Sequence, residues 1–222
     1  MKKILLATTL SLGVTSAFAA ETAVMKVQGT LTNSACTPEL SNGGVVDYGI
    51  IRLGELSATD VNQLGQRNID LTINCTVETR VGWSMMDDQS STSAGIKIKN
   101  ATPEGGDIDL AYYQFGVGKT AGDVKIGNYG VFVKDRTSVL DGVNMTTIGR
   151  MVSDTTWRTT PSPRSDAYNI VTAAKPGTLE PVAFKTAVFP LVTSLAIQGT
   201  DTLAITDDTA IAGQATISLV YL

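Results

Sequence analysis

Two adjacent carboxylate pairs, Asp87-Asp88 and Asp207-Asp208, are the residues best suited by type to acid–base or cation chemistry. Such chemistry needs carboxylates that converge on one point. Neighbours along an extended strand point to opposite faces, and both pairs sit beside loop-forming residues, so both read as solvated turns. Gly116, Gly118, Lys119 and Thr120 share composition with a phosphate loop, but the GxxxxGK[ST] spacing is absent. Trp83, Tyr112, Tyr113 and Trp157 offer ring faces that would stack on a sugar. Trp83 ends an apolar run and reads as core, whereas Trp157 stands in a polar loop and reads as surface. The chain has no histidine, which removes the commonest general base and the commonest metal ligand. No Ser-His-Asp or Cys-His site can form. The chain therefore reads as a non-enzyme with no cofactor and no metal site.

Residues 1–19 read as a secretory signal peptide. Lys2 and Lys3 form a basic start, Ile4 to Val14 is mostly apolar, and Ala17-Phe18-Ala19 is a cleavage pattern. The apolar run is too short to span a bilayer. Export to the periplasm or beyond follows. In an oxidising compartment Cys36 and Cys75, the only cysteines, are expected to pair. Without Lys2 and Lys3 the formal charge moves from −4 to −6. That balance argues against nucleic acid as a partner, because phosphate binding needs a basic footprint. No second apolar run reaches membrane length.

Strand signals dominate residues 20–222, which read as one domain. Ala23 to Thr32 alternates and leads into Cys36. Ile69, Leu71, Ile73 and Cys75 alternate with Asn68, Asp70, Thr72 and Asn74. Further strands are expected at Arg80–Met85, Ile96–Asn100, Leu110–Gly116, Gly130–Lys134, Tyr168–Ala173, Val182–Val188 and Pro190–Gln198. A helical turn is expected around Thr59–Leu64, and a long loop over Ser153–Asp166. At the end, Ala215, Ile217, Leu219 and Tyr221 share one face, and Thr216, Ser218, Val220 and Leu222 the other. Many short strands separated by Gly- and Pro-containing turns predict an all-β fold, a β-sandwich.

The order of these features resembles a chaperone–usher fimbrial (pilin) subunit. It runs from the signal peptide through "VQGTLTNSAC", "LGEL" and "NIDLTINC" to the closing "GQATISLVYL" with tyrosine next to last. Within that group, "ACTPELSNGGVVDYG" and "LGQRNIDLTINCT" are most similar to the GltF-type fimbrial-like periplasmic proteins. The resemblance implies an immunoglobulin-like sandwich that lacks its last strand, with a disulfide from the first strand to the end of the second. It implies completion by a strand from a periplasmic fimbrial chaperone or another pilus subunit. Ala215, Ile217, Leu219 and Tyr221 would face that strand, and the Leu222 carboxylate would anchor basic chaperone residues. Pilus structure and adhesion, with a host or surface receptor, are the expected role, in the periplasm or an extracellular fimbrium.

Two departures bear on this. Cleavage after Ala19 leaves only Ala20 to Thr22 before the first strand, where the family carries a donor arm. Thr209 stands where the family often has glycine, and the nearest glycine is Gly213. The alternative reading is a stand-alone periplasmic binding or regulatory protein whose sandwich completes itself.

Overall fold

The alternation at Ile69, Leu71 and Ile73 becomes the longest of the described strands, with those three side chains buried and Asp70 and Asn74 exposed. In this computed structural model residues 35–159 and 162–222 are described. The signal peptide expected at 1–19 and the strand expected at 23–32 lie outside them. The described elements are β1 (Cys36–Leu40), β2 (Asn62–Thr79), β3 (Val81–Asp87), β4 (Phe115–Gly116), β5 (Gly127–Val133), β6 (Thr137–Leu140), β7 (Val143–Met151), β8 (Asn169–Ala174), β9 (Phe184–Ile197), the short helix α1 (Thr200–Leu203) and β10 (Ala215–Tyr221). Every strand pairing is antiparallel. The expected all-β sandwich is what forms.

One hydrogen-bonded path runs β1-β2-β9-β6-β7-β8-β3-β10. Strand β9 makes the path turn. Along one edge it pairs with β2 throughout. Along the other it pairs with β6 at Ala187 and Val188, then with β5 from Leu191 to Ile197. Pro190 sits between these two partners. A proline cannot donate to a ladder, so it is tolerated where a strand changes neighbours. The two expected strands on either side of Pro190 are thus one strand.

Inside, Leu71, Ile73, Trp83, Phe115, Phe184 and Phe189 are fully buried. Trp83 meets Phe189 edge to face at 5.7 Å between ring centroids. A second cluster lies on the other face of β9, where Ile98, Ala101 and Ile108 pack on Phe132 and Ala196. The strand expected at Ile96–Asn100 is instead a single bridge, Ile98 to Ile108, inside this covering loop. Polar side chains hold the loop in place. Gln63 accepts from the Lys99 N–H at 2.9 Å and donates to the Lys97 carbonyl at 3.0 Å. Asn128 makes the same two-way contact with the Ile96 backbone. Its apolar alternation serves outer packing, not a sheet.

Other expectations shift. Leu110–Gly116 is a 3₁₀ turn, Ala111–Tyr113, before the two-residue β4. The turn expected at Thr59–Leu64 is absent, because Asn62 already pairs with Ile197, and the 3₁₀ turn falls at Leu53–Glu55. The β6–β7 hairpin has weaker alternation than its turn, where Asp141 and Gly142 both adopt positive φ.

The disulfide Cys36–Cys75 joins directly opposed residues of β1 and β2. It closes a separation of 39 residues, worth roughly 4 kcal/mol in the chain-entropy account. The Cys36→Ala, Cys75→Ala double variant should lose stability by about 2–5 kcal/mol in urea unfolding. An unchanged midpoint would show that the ladder alone holds β1.

Candidate functional site

The two ends of the strand path, β1 and β10, are neighbours in space but share no ladder. Between them lies a groove of about 260 Å³. Ile69, Met85, Val131 and Leu191 form its floor, and Leu40, Val46, Ala215 and Ile217 its walls. The floor is therefore part of the main core. Tyr129 and Gly213 close one end. A β-carbon at Gly213 would stand 2.8 Å from the Tyr129 ring, so glycine is what lets the chain cross that ring.

Hydrogen-bond parity tells which backbone groups of β10 face the groove. The Asp88 N–H donates to the Gln214 carbonyl at 3.0 Å, and the Leu222 N–H to the Arg80 carbonyl at 3.1 Å. With the register Thr216 to Met86 and Ser218 to Ser84, the even-numbered residues bond to β3. An antiparallel ladder alternates, so the N–H and C=O of Ala215, Ile217, Leu219 and Tyr221 point the other way, along the outer edge. Among the described residues no strand pairs with that edge.

The same parity holds on β1. The Thr76 N–H donates to the Ala35 carbonyl at 3.0 Å. Thr37 and Glu39 therefore bond toward β2, and Cys36, Pro38 and Leu40 point outward. The Cα separation of Cys36 and Cys75, 4.0 Å, is that of a pair without mutual hydrogen bonds. The Cys36 N–H donates to the Tyr221 hydroxyl at 3.0 Å. Tyr221 thus reaches from one edge of the seam to the other.

The candidate residues of the tail divide into groups. Ala215 and Ile217 line the groove. Leu219 is half-buried against the core beyond it. Tyr221 is exposed rather than inward, its ring leaning over the seam. Leu222 is exposed, its N–H tied to Arg80. Sequence reading missed the opposite wall, Pro38, Leu40 and Val46. Pro38 lies in β1, and a proline within a sheet marks an edge.

Asp87 is not the solvated turn residue expected. It is buried at the end of β3, while Asp88 is exposed and accepts from the Thr216 hydroxyl at 2.9 Å. The two point apart, as strand geometry requires. Asp87 accepts from the Gly116 and Gln89 N–H groups, both at 2.8 Å, and so ties β4 and the following turn to β3. Burial pushes its carboxyl above the usual range, against the pull of those two bonds. Burial, helped by Asp87 and Asp88, also pushes the Tyr129 phenol far up. Of the ring residues, Trp83 is core. Tyr112 and Tyr168 lie under the Arg164 guanidinium at 4.1 and 4.9 Å, and Trp157 lies under Arg150 at 5.2 Å. Arg164 is already paired with Asp166. Tyr112, Tyr168 and Trp157 thus each carry one of the protein's own cations on the ring, and Tyr113 packs on Tyr112 and Phe132.

A raised Asp87 pKa means that the folded chain holds this proton more tightly than the unfolded chain. Relative to Asp87→Asn, the native protein should gain stability as pH falls from neutral toward about pH 4, and lose that gain as pH rises through the Asp87 pKa. Urea midpoints of both proteins across that range check it. A stability difference that ignores pH would contradict it.

A family model described as protein of unknown function (DUF1120) matches residues 25–130. That span runs through β1, β2 and β3, which carry the floor residues Ile69 and Met85, and reaches Tyr129 at the groove's end. The chain is 32% identical over 224 residues to the uncharacterized protein YhcF of Escherichia coli K12, covering 93% of each chain. It is 28% identical over 225 residues to protein GltF of the same organism, covering 89% of this chain and 87% of GltF. Sequence similarity along nearly the whole chain therefore accompanies the groove and its two edges, and the protein belongs to the family of YhcF and GltF.

Proposed function

We propose that this protein is a non-enzymatic, exported fimbrial-like subunit that works by accepting a β-strand. Its sandwich is completed when an extended segment of another polypeptide enters the seam between β1 and β10. The observation that carries this reading is the outer edge of β10. Four residues in alternation, Ala215, Ile217, Leu219 and Tyr221, present backbone donors and acceptors beside a groove floored by core side chains. Unpaired edges template further strands, and addition of a strand to an exposed edge is a recurring mode of recognition. Apolar side chains at every second position of the incoming strand would reach Ile69, Met85 and Leu191. The partner would be a periplasmic fimbrial chaperone first and a neighbouring pilus subunit afterwards. Pilus structure or adhesion, at the cell surface or in the periplasm, is the corresponding role. The signal peptide over residues 1–19 and the resemblance to pilin subunits support it.

The test isolates the edge from the fold. Proline at position 217 removes an N–H that faces the groove and leaves the ladder to β3 intact, because Ile217 does not bond toward β3. Ile217→Ala controls for lost packing. The protein, tagged in the 153–159 loop so that both termini stay native, is purified from periplasm and its companions identified by mass spectrometry. A stoichiometric chaperone should accompany the native chain and Ile217→Ala and be lost from Ile217→Pro, while all three unfold cooperatively. A lone, cooperatively folding monomer, or a companion held equally by Ile217→Pro, would overturn the proposal.

A further inference from the structure

The cavity between β1 and β10 has a chemistry of its own, separate from the backbone edges beside it. Its volume is about 260 Å³. An apolar cavity of about 150 Å³ takes a molecule the size of benzene, so this one has room for about ten heavy atoms. Among the described residues no charged side chain borders it. Its lining is mainly aliphatic, with half-buried Leu40, Val46 and Ile217 beside the core residues Ile69 and Leu191. Four polar side chains reach it: Tyr48, Tyr129, Thr193 and Gln214. The Tyr48 hydroxyl is already engaged, 3.3 Å from the Gly65 carbonyl, the Thr193 carbonyl and the Thr193 hydroxyl. The Thr193 hydroxyl donates to the Arg67 carbonyl at 3.3 Å. Gln214 is exposed to solvent. Tyr129 differs from all three. Its ring is stacked on Phe115 at 5.0 Å between centroids and crossed by the chain at Gly213, which fixes its position. Its hydroxyl has no hydrogen-bond partner among the described residues, and burial keeps it protonated, so it is free to donate.

We infer that this cavity is a binding site for a small uncharged carbonyl compound, a medium-chain ester or ketone, whose chain lies on the aliphatic lining and whose oxygen accepts from Tyr129. Concave sites of this kind, apolar with a few placed polar groups, are the usual form of a small-molecule site. A charged ligand would be desolvated with no counter-ion on the lining. An anion would also meet the field of Asp87 and Asp88, which already acts on Tyr129. A wholly apolar ligand would cover the Tyr129 hydroxyl and leave it without a partner, which costs free energy. A neutral acceptor avoids all three penalties. The inference stands apart from strand acceptance, because a molecule of this size fits within the cavity and does not require β1 and β10 to part.

The test follows side-chain methyl signals of the chain of residues 20–222 by NMR during titration with methyl hexanoate. Methyls of Ile69, Met85, Leu191 and Ile217 should shift saturably, while those of Ile98 and Ile108 in the second cluster stay in place. Heptanoate has the same number of heavy atoms but a negative charge, and should bind at least about tenfold more weakly. Tyr129→Phe should weaken methyl hexanoate about fivefold, as the loss of one neutral hydrogen bond requires. The same variant should bind toluene, which has no such acceptor, as the native chain does. Ala215→Leu adds bulk to the cavity wall and should abolish binding, whereas Ser218→Leu, at an exposed position of β10 away from the cavity, should preserve it. Urea unfolding checks that each variant folds cooperatively. The inference is overturned by a titration that leaves the cavity methyls unshifted, by heptanoate binding as tightly as the ester, or by unchanged ester affinity in a folded Tyr129→Phe or Ala215→Leu protein.

Discussion

A sheet that nearly closes on itself must either join its two end strands or leave them facing one another across a gap. Here β1 and β10 face one another, and among the described residues one side-chain bond, Cys36 N–H to the Tyr221 hydroxyl, spans them. Everything else in the molecule bears on that gap. Its floor belongs to the main core, and Ile69, Met85, Val131 and Leu191 stay buried between the walls. Among the described residues no strand covers the outer edge of β10, and an exposed edge of that kind is a template for pairing.

The walls are held by different means. Strand β1 is five residues long and would be a weak edge alone. The disulfide fixes it to β2 at its first residue, and β2 is fixed in turn by its long pairing with β9. Strand β10 rests on a seven-residue ladder to β3. Its approach is set by the Gly213 crossing over Tyr129 and by the Ala212 N–H bond to the Val117 carbonyl at 2.9 Å. Asp87 ties β4 to the end of β3 at the same corner. Its buried charge is tolerated because two backbone donors meet it, which is the usual condition for a buried carboxylate.

Much of this was legible in the sequence. Alternation at Ile69 to Cys75 and at Ala215 to Tyr221 gave strands whose buried faces match, because each is covered on one side by the core. The cysteine pairing followed from the count and the expected oxidising compartment. What failed did so for physical reasons. Ile96–Asn100 alternates, yet packs as a covering loop, since periodicity records burial and not ladder formation. Asp87 looked like a turn residue because sequence cannot show that Gly116 brings a donor to it from 29 positions away. The wall of Pro38, Leu40 and Val46 was invisible because a groove is made by strands distant in the chain. Tyr221 was placed inward by period alone, but at the strand end its ring leans across the seam instead.

Residue-resolved amide hydrogen exchange on the isolated chain of residues 20–222 tests the central claim most directly, because the two parities of β10 provide an internal control. The account predicts that the amides of Thr216, Ser218 and Val220, bonded to β3, are protected, while those of Ala215, Ile217 and Leu219 exchange rapidly. Equal protection at both parities would mean that the outer edge of β10 is already paired, and the seam would not be open to a partner.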